Sequence, residues 1–191
     1  FGYLELAEME SMSKEVLEYF SYINEAAHHI ERQIAFTRDY QDIGVNTPVW
    51  QEVGEIIRQA LQSIQISPIQ VDVDISGIEI YADPLIVKVF FNLMDNARRY
   101  GEKITRIRFS GQTRGKEYFI ICEDDGVGIP EEYKLKIFKR EYFKHTGFGL
   151  NLSREILDIT RITITETGTP GIGARFEMNV PEAMWRFSRK R

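Results

Sequence analysis

The sequence predicts an α+β fold: an α/β sandwich, with helices on one face of a mixed, mostly antiparallel sheet, preceded by a helical hairpin. Three observations predict it. Residues 13–41 contain no Gly or Pro and repeat apolar side chains at steps of three and four, as one long helix does. "IQVDVDI" (69–75) alternates apolar and polar residues strictly, the pattern of a strand with one wet face. The order of the later strand and helix patterns sets helices against a sheet.

The first long helix carries a seam of Val16, Phe20, Ile23, Ala27, Ile30 and Ile34, with Ser13 as its N-cap. Such a helix is roughly 40 Å long. "FGYLELAEM" before it reads as the end of another helix, so the two form a hairpin. A hairpin with one long apolar seam needs a covering surface. A second copy forming a four-helix bundle supplies one, and the chain's own globular domain is the alternative. "DIGVNTPVW" (42–50) is a linker, because Gly, Asn and Pro close together end a helix. A short helix over 49–62 comes next. The division is therefore 1–43, the end of the hairpin; 44–62, linker and first helix; and 63–191, the main domain.

Within that domain "IEIYAD" (78–83) is a second strand, and Asp83-Pro84 starts a helix over 84–100. "ITRIRFSGQ" and "KEYFIICED" pair as a hairpin around Thr113–Gly115. A glycine-rich loop, a basic-aromatic stretch and a helix over 148–159 come after them. Two last strands, "RITITET" and "ARFEMNV", flank "GTPGIG".

Composition narrows the function. A net charge of −5 argues against non-specific contact with nucleic acid or an anionic membrane. No run of 18 apolar residues occurs, so nothing in the sequence reads as a transmembrane helix. The single cysteine, Cys122, excludes an internal disulfide framework and fits a reducing, cytoplasmic compartment. Three histidines and one cysteine without metal-ligand spacing argue against a zinc site.

Three stretches carry chemistry. In "FFNLMDNARRYG" (90–101), Lys88, Asn92, Asn96 and Arg99 share one helical stripe, while Val87, Phe90, Met94 and Ala97 can face the sheet. Asparagine is a poor choice inside a helix. Its amide oxygen is a neutral, hard ligand suited to Mg²⁺, and a basic residue three positions on can hold phosphate. In "EDDGVGIP" (123–130), Asp124 ends a strand, where a carboxylate can accept from an exocyclic amine, and Gly126 and Gly128 allow close approach of a flat ligand. In "KHTGFGLNLS" (144–153), Gly147 and Gly149 lead into an apolar helix whose first N–H groups can hold phosphate. Each has a plainer structural explanation: a polar helix face, an Asp-Gly turn and a glycine loop.

In this order the three resemble the ATP-binding domain of sensor histidine kinases, in a form similar to archaeal members, within the wider Bergerat-fold ATPase group. "NLMDNARRY" is similar to the N-box, "DDGVGIP" to the first glycine box, "KIFKREYF" to the phenylalanine box and "TGFGLNLSREI" to the second glycine box. Residues 1–41 resemble the end of the dimerisation and phosphoacceptor hairpin. The resemblance implies that Asn96 coordinates Mg²⁺ on the phosphates of ATP, with Asn92 close by. It implies a phosphate contact for Arg99 and a nucleotide-flanking ring for Tyr100. Asp124 would bond the adenine amino group, with Gly126 and Gly128 letting base and ribose approach. Ile129, Ile137 and Phe138 would line the adenine pocket. Lys144, Thr146, Gly147 and Gly149 would contact the triphosphate from a lid, followed by Leu150. The sequence departs from the pattern in a short lid, in Phe143 and His145 within it, and in Ala174 where many members have Thr.

The family's phosphoacceptor, a histidine followed by an acid, is not found. "GYLELAE" resembles the helical stretch about three turns past that box, so the histidine is expected before Phe1. His28, His29 and His145 do not fit the motif. The resemblance thus implies an ATP-dependent protein-histidine kinase core, a homodimer through the hairpin, acting on a response-regulator receiver domain. An ATP-binding dimerising module, or an ATPase or serine kinase of the same fold, stands as the alternative.

Overall fold

The computed structural model describes residues 14–139 and 148–188. The chain divides between Gln41 and Asp42 into two compact units. In the first, α1 (Lys14–Asp42) is one helix of 29 residues, with the seam residues Ile23, Ile30 and Ile34 exposed to 51%, 57% and 66%. The helix expected before it lies outside the described residues.

In the second unit, β1 (Val49–Glu52) precedes α2 (Val53–Gln62), followed by β2 (Gln70–Asp74), β3 (Ile78–Ala82), α3 (Ile86–Tyr100), β4 (Arg106–Arg114) and β5 (Glu117–Asp124). A single 3₁₀ turn at Glu131–Tyr133 leads toward α4 (Phe148–Asp158), β6 (Thr163–Glu166), β7 (Arg175–Val180) and β8 (Trp185–Phe187). The main sheet runs β2-β4-β5-β7-β6, with β2 parallel to β4 and the other pairs antiparallel.

Side-chain parity places the core. Phe109, Cys122 and Phe176 are in register and buried on one face of the sheet, and Ile107, Ile120 and Met178 share that face. Phe90 of α3 meets Phe109 edge-on at 5.9 Å, and Ile56, Leu93, Ile156 and Leu157 complete the layer. The opposite face is charged and self-paired. Arg106 bonds Asp72, Arg108 bonds Asp74 at 3.0 Å, Arg114 forks onto Glu177 at 2.7 and 3.0 Å, and Arg175 bonds Glu123 at 2.8 Å. The β4–β5 hairpin closes at Gly115-Lys116, with Gly115 at φ 64°, as a two-residue turn with glycine first requires. Burial pushes the Cys122 thiol well above its ordinary value, which keeps it protonated and inert in the core.

Two expectations are corrected. The helix read over 49–62 begins only at Val53. Residues 49–52 are a strand paired with β3, Trp50 opposite Tyr81, with their rings 5.5 Å apart. Glu52 ends that strand and caps α2 by accepting from the Glu55 N–H at 2.6 Å. The second correction is at the other end. "ARFEMNV" is not the last strand: Trp185, packed beside Tyr118 at 5.2 Å, belongs to a further strand, β8, so a second antiparallel sheet β1-β3-β8 exists. Both errors share one cause: four- and three-residue strands have no periodicity of their own and are specified by a distant partner. The helix expected from Pro84 begins at Ile86, but Asp83 still starts it, accepting from the Leu85 N–H at 2.8 Å. Among the described residues no helix is long and apolar enough to cross a membrane.

Candidate nucleotide site

Helix α3 connects the three motifs. At its middle, Asn92 Nδ2 donates to the Gly149 carbonyl at 3.0 Å and lies 3.2 Å from Ser153 Oγ, while that hydroxyl donates to the same carbonyl at 2.8 Å. A Cβ on Gly149 would stand 3.3 Å from the Asn92 amide, so glycine lets α4 come close. At the C-terminal end of α3, Gly101 supports the turn after β5: a Cβ on Gly126 would lie 2.7 Å from the Gly101 Cα. Asn96 sits between these two junctions, one turn from Asn92, about 6 Å along the axis. Its Nδ2 is buried with no hydrogen-bond partner among the described residues. A buried amide left so is uncommon and asks for a ligand.

Asp124 is held on one oxygen. Oδ1 accepts from the Gly126 N–H at 3.0 Å and from the Ala174 N–H at 3.1 Å. No described residue donates to Oδ2, which is left as an acceptor. The Asp124 N–H donates back to the Ala174 carbonyl at 3.0 Å. Gly173, at φ 155°, lets this happen, since a Cβ there would fall 1.9 Å from the Asp124 carbonyl oxygen. Gly128, at φ 69°, faces the Thr169 and Gly173 carbonyls, and the Gly171 N–H donates to Val127 at 2.7 Å. The β6–β7 loop is thus fastened along residues 124–128. Burial pushes the Asp124 carboxyl above its ordinary value. The Ala174 and Gly126 N–H groups oppose the rise, and Asp125 and Glu166 add to it.

A carboxylate held by one oxygen, a helix carrying an orphaned amide, and glycine contacts at the middle and the C-terminal end of that helix make up the described part of the site. The family model for the histidine kinase-, DNA gyrase B- and HSP90-like ATPases matches residues 82–184, which includes all of α3, Asp124 and the β6–β7 loop.

The chain belongs to this ATPase family.

Its ATP-binding domain is that of a sensor histidine kinase. Sensor histidine kinase YkoH of Bacillus subtilis is 32% identical over 136 residues, covering 66% of this chain and 30% of YkoH. The nucleotide-free catalytic domain of histidine kinase ThkA superposes with a TM-score of 0.60 at 25% identity, over 72% of this chain and 97% of that domain. Full-length ShkA in complex with AMPPNP shares the fold, with a TM-score of 0.71 at 17% identity, over 99% of this chain and 43% of ShkA. The chain spans less than a third of the length of YkoH. The α/β sandwich expected from the sequence is the Bergerat fold of these kinases.

Among the expected site residues of this ATPase domain, Asn92, Gly149, Gly126, Gly128 and Asp124 are joined by the contacts above. Arg99 is on the same helix, but its Nε is held by Asp95 at 2.6 Å, beside the Arg98–Asp95 pair at 2.9 Å. Tyr100 is half exposed at the helix end. Ile137 and Phe138 are buried, and Phe138 meets Phe176 edge-on at 6.3 Å, so both serve the core; Ile129 and Leu150 are half-buried. Asn151 Nδ2 donates to the Phe138 carbonyl at 3.2 Å, tying Phe138 to α4. Lys144, Thr146 and Gly147 lie outside the described residues, as do Phe143 and His145.

Sequence reasoning missed three supports. Asp125 accepts from the Thr105 N–H at 2.8 Å and the Arg106 N–H at 2.9 Å, as well as from the Thr105 hydroxyl, fixing the loop after α3. Ala174 contributes its backbone on both sides of Asp124, so the residue that departs from the family's usual Thr supplies the same main-chain groups as any other residue would. Glu166 and Lys134 lie beneath the β6–β7 loop. The doubled acid of "EDDG" was a visible signal for Asp125; the other two had none.

Proposed function

We propose that the chain is the core of an ATP-dependent protein-histidine kinase of a two-component system. It transfers the γ-phosphoryl of ATP to a histidine that these 191 residues do not supply, and from there to an aspartate of a response-regulator receiver domain. The observation that carries this reading is the open Oδ2 of Asp124. It is an acceptor in a cradle of glycines, fixed by two backbone donors so that it needs no reorganisation to meet the exocyclic amine of adenine.

The residues present fit a magnesium ion. Asn96 lies on the polar stripe of α3; its Nδ2 has no partner among the described residues and could donate to a phosphate oxygen, while its Oδ1 is the atom that would hold a hard cation. No cluster of three or more His, Cys, Asp or Glu among the described residues is arranged for a metal, so further ligands come from phosphate and water. Bound with ATP, Mg²⁺ neutralises phosphate charge. Asn92 keeps α4 against α3, and the N–H groups of Gly149 and Leu150, in the first turn of α4, would hold phosphate. Arg99 can meet phosphate through its terminal nitrogens while its Nε stays with Asp95. Tyr100 and Ile129 flank the base, with Ile137 and Phe138 behind them. Lys144, Thr146 and Gly147 would contact the triphosphate. Catalysis by these groups is positioning and charge stabilisation.

The exposed seam of α1 suits a second copy, giving a homodimer. The reading also takes this part of the protein as cytoplasmic.

Two measurements test the function. Mg-ATP raises the melting temperature of the chain, and chelation of the metal reverses part of the rise. The full-length protein incubated with ATP acquires an acid-labile, base-stable phosphoryl group. ATP binding without that group would leave the dimerising ATP-binding module as the reading.

A further inference from the structure

Glu166 ends β6 with its side chain fully buried. Through Oε1 it accepts from the Gly168 N–H at 2.9 Å and from the Arg175 N–H at 3.1 Å, so one carboxylate oxygen joins the two legs of the β6–β7 loop. Oε2 accepts no hydrogen bond, and its nearest cation is Lys134 Nζ at 3.4 Å. Lys134 comes from the other side, just after the turn at Glu131–Tyr133, with only 13% of its side chain exposed. Its ammonium donates to the Gly168 carbonyl at 2.6 Å and to Glu131 Oε1 at 2.6 Å. The ammonium thus makes two short contacts and one longer ion pair, to Glu166. A buried carboxylate is costly unless paired, so the charge of Glu166 depends on Lys134.

The loop so gripped is the one that fastens Asp124. Gly168 opens it; Gly171 bonds Val127; Gly173 lies against the Asp124 carbonyl; Ala174 donates to Asp124 Oδ1. The arrangement links three segments that no local sequence pattern joins: the stretch 131–138 leading to the lid, the β6–β7 loop, and the strand end that carries the carboxylate.

We propose that Lys134 and Glu166 are positioning residues for adenine recognition. This inference rests on the reading of Asp124 as the adenine acceptor. Lys134 and Glu166 touch no substrate. They fix the height of the β6–β7 loop, and through the Ala174 N–H they fix the orientation in which Asp124 presents its open oxygen. Loosening the pair frees that N–H, lets the carboxylate turn, and degrades recognition of the base while leaving the phosphate side, on α3 and α4, untouched.

The experiment compares ATP with inorganic tripolyphosphate, each with Mg²⁺, by calorimetry on the full 191-residue chain. The proteins are the unmodified chain, Lys134→Met, Glu166→Gln, the double variant and Asp124→Asn. Circular dichroism and melting curves show which variants are folded. The expected result is a roughly tenfold loss of ATP affinity in Lys134→Met and in Glu166→Gln, little change for tripolyphosphate, and a double variant no worse than the poorer single one. Lys134→Arg, which keeps the charge and donors, restores at least part of the ATP affinity if Lys134→Met has lost it.

ATP binding unchanged in a folded Lys134→Met protein overturns the proposal. So does an equal loss for ATP and tripolyphosphate, which would mark the pair as merely structural. Should Glu166→Gln fail to fold, Lys134→Met and its Arg counterpart decide alone. If Asp124→Asn leaves the preference for ATP over tripolyphosphate intact, the adenine assignment itself fails and takes the clamp with it. That outcome is distinct from failure of the clamp with Asp124 still discriminating.

Discussion

Asn92 on α3 donates to the carbonyl of Gly149 at the start of α4, 57 residues along the chain, at 3.0 Å. One turn further along the same stripe, the amide nitrogen of Asn96 is buried with no partner among the described residues. Two identical side chains on one helix face therefore do different work. Asn92 is a strut between helices, and Asn96 keeps an amide donor without a partner among the described residues.

Asn92→Ala is expected to destabilise the fold. It removes a half-buried bond and reduces the partners of Ser153, a cost of about 1–3 kcal/mol. For a chain of this size each kcal/mol corresponds to roughly 2–4 °C. A thermal melt without nucleotide checks this, and an unchanged midpoint would contradict the strut.

Asn96→Ala behaves in the opposite way. Truncating an unsatisfied amide costs less than about 1 kcal/mol in the free protein, so the melt without nucleotide is nearly unchanged. The stabilisation by Mg-ATP and the autokinase activity are lost. Autokinase activity at the original level in this variant would refute the metal assignment.

Asp124→Asn is expected to weaken ATP far more than pyrophosphate, because only the base is read by the carboxylate. The pH dependence carries the same information. Burial raises the native carboxyl above its ordinary value, so the folded protein holds this proton more readily than the unfolded chain. The group's contribution to stability is therefore greatest below the unfolded pKa and is lost as pH rises through the native one. Adenine needs the carboxylate, so ATP affinity falls as pH drops through that raised value, sooner than for an ordinary aspartate. Titration calorimetry at descending pH should show this limb in the native protein and not in Asp124→Asn.

Two glycines at positive φ separate local strain from site geometry. Gly115→Ala meets nothing within 4 Å and suffers only the left-handed backbone, about 1 kcal/mol, with ATP binding intact. Gly173→Ala places a methyl 1.9 Å from the Asp124 carbonyl oxygen, which forces the loop away. Loss of nucleotide binding beyond its loss of stability is the expected outcome, and equal behaviour of the two variants would argue against the loop's role.

The sequence by itself determined the helices, the main strands, the side of α3 that is polar, and the order of the three motifs. These come from periods of 3.6 and 2 and from the placement of Gly, Pro and Asp, all of which are local. It also marked Asn96, Asp124 and the glycines around them, since amides inside a helix and glycines after a strand are conspicuous without any partner. Tertiary structure alone decided that Asn92 braces α4, that Arg99 is engaged by Asp95, and that Asp124 presents Oδ2. It also decided that Val49–Glu52 and Trp185–Phe187 are strands, and that Lys134 neutralises Glu166. Each of those depends on a partner whose distance along the chain has no periodicity to betray it. The pairing energy of a hydrogen bond or a buried charge is set by geometry in space, and spacing in sequence does not record it.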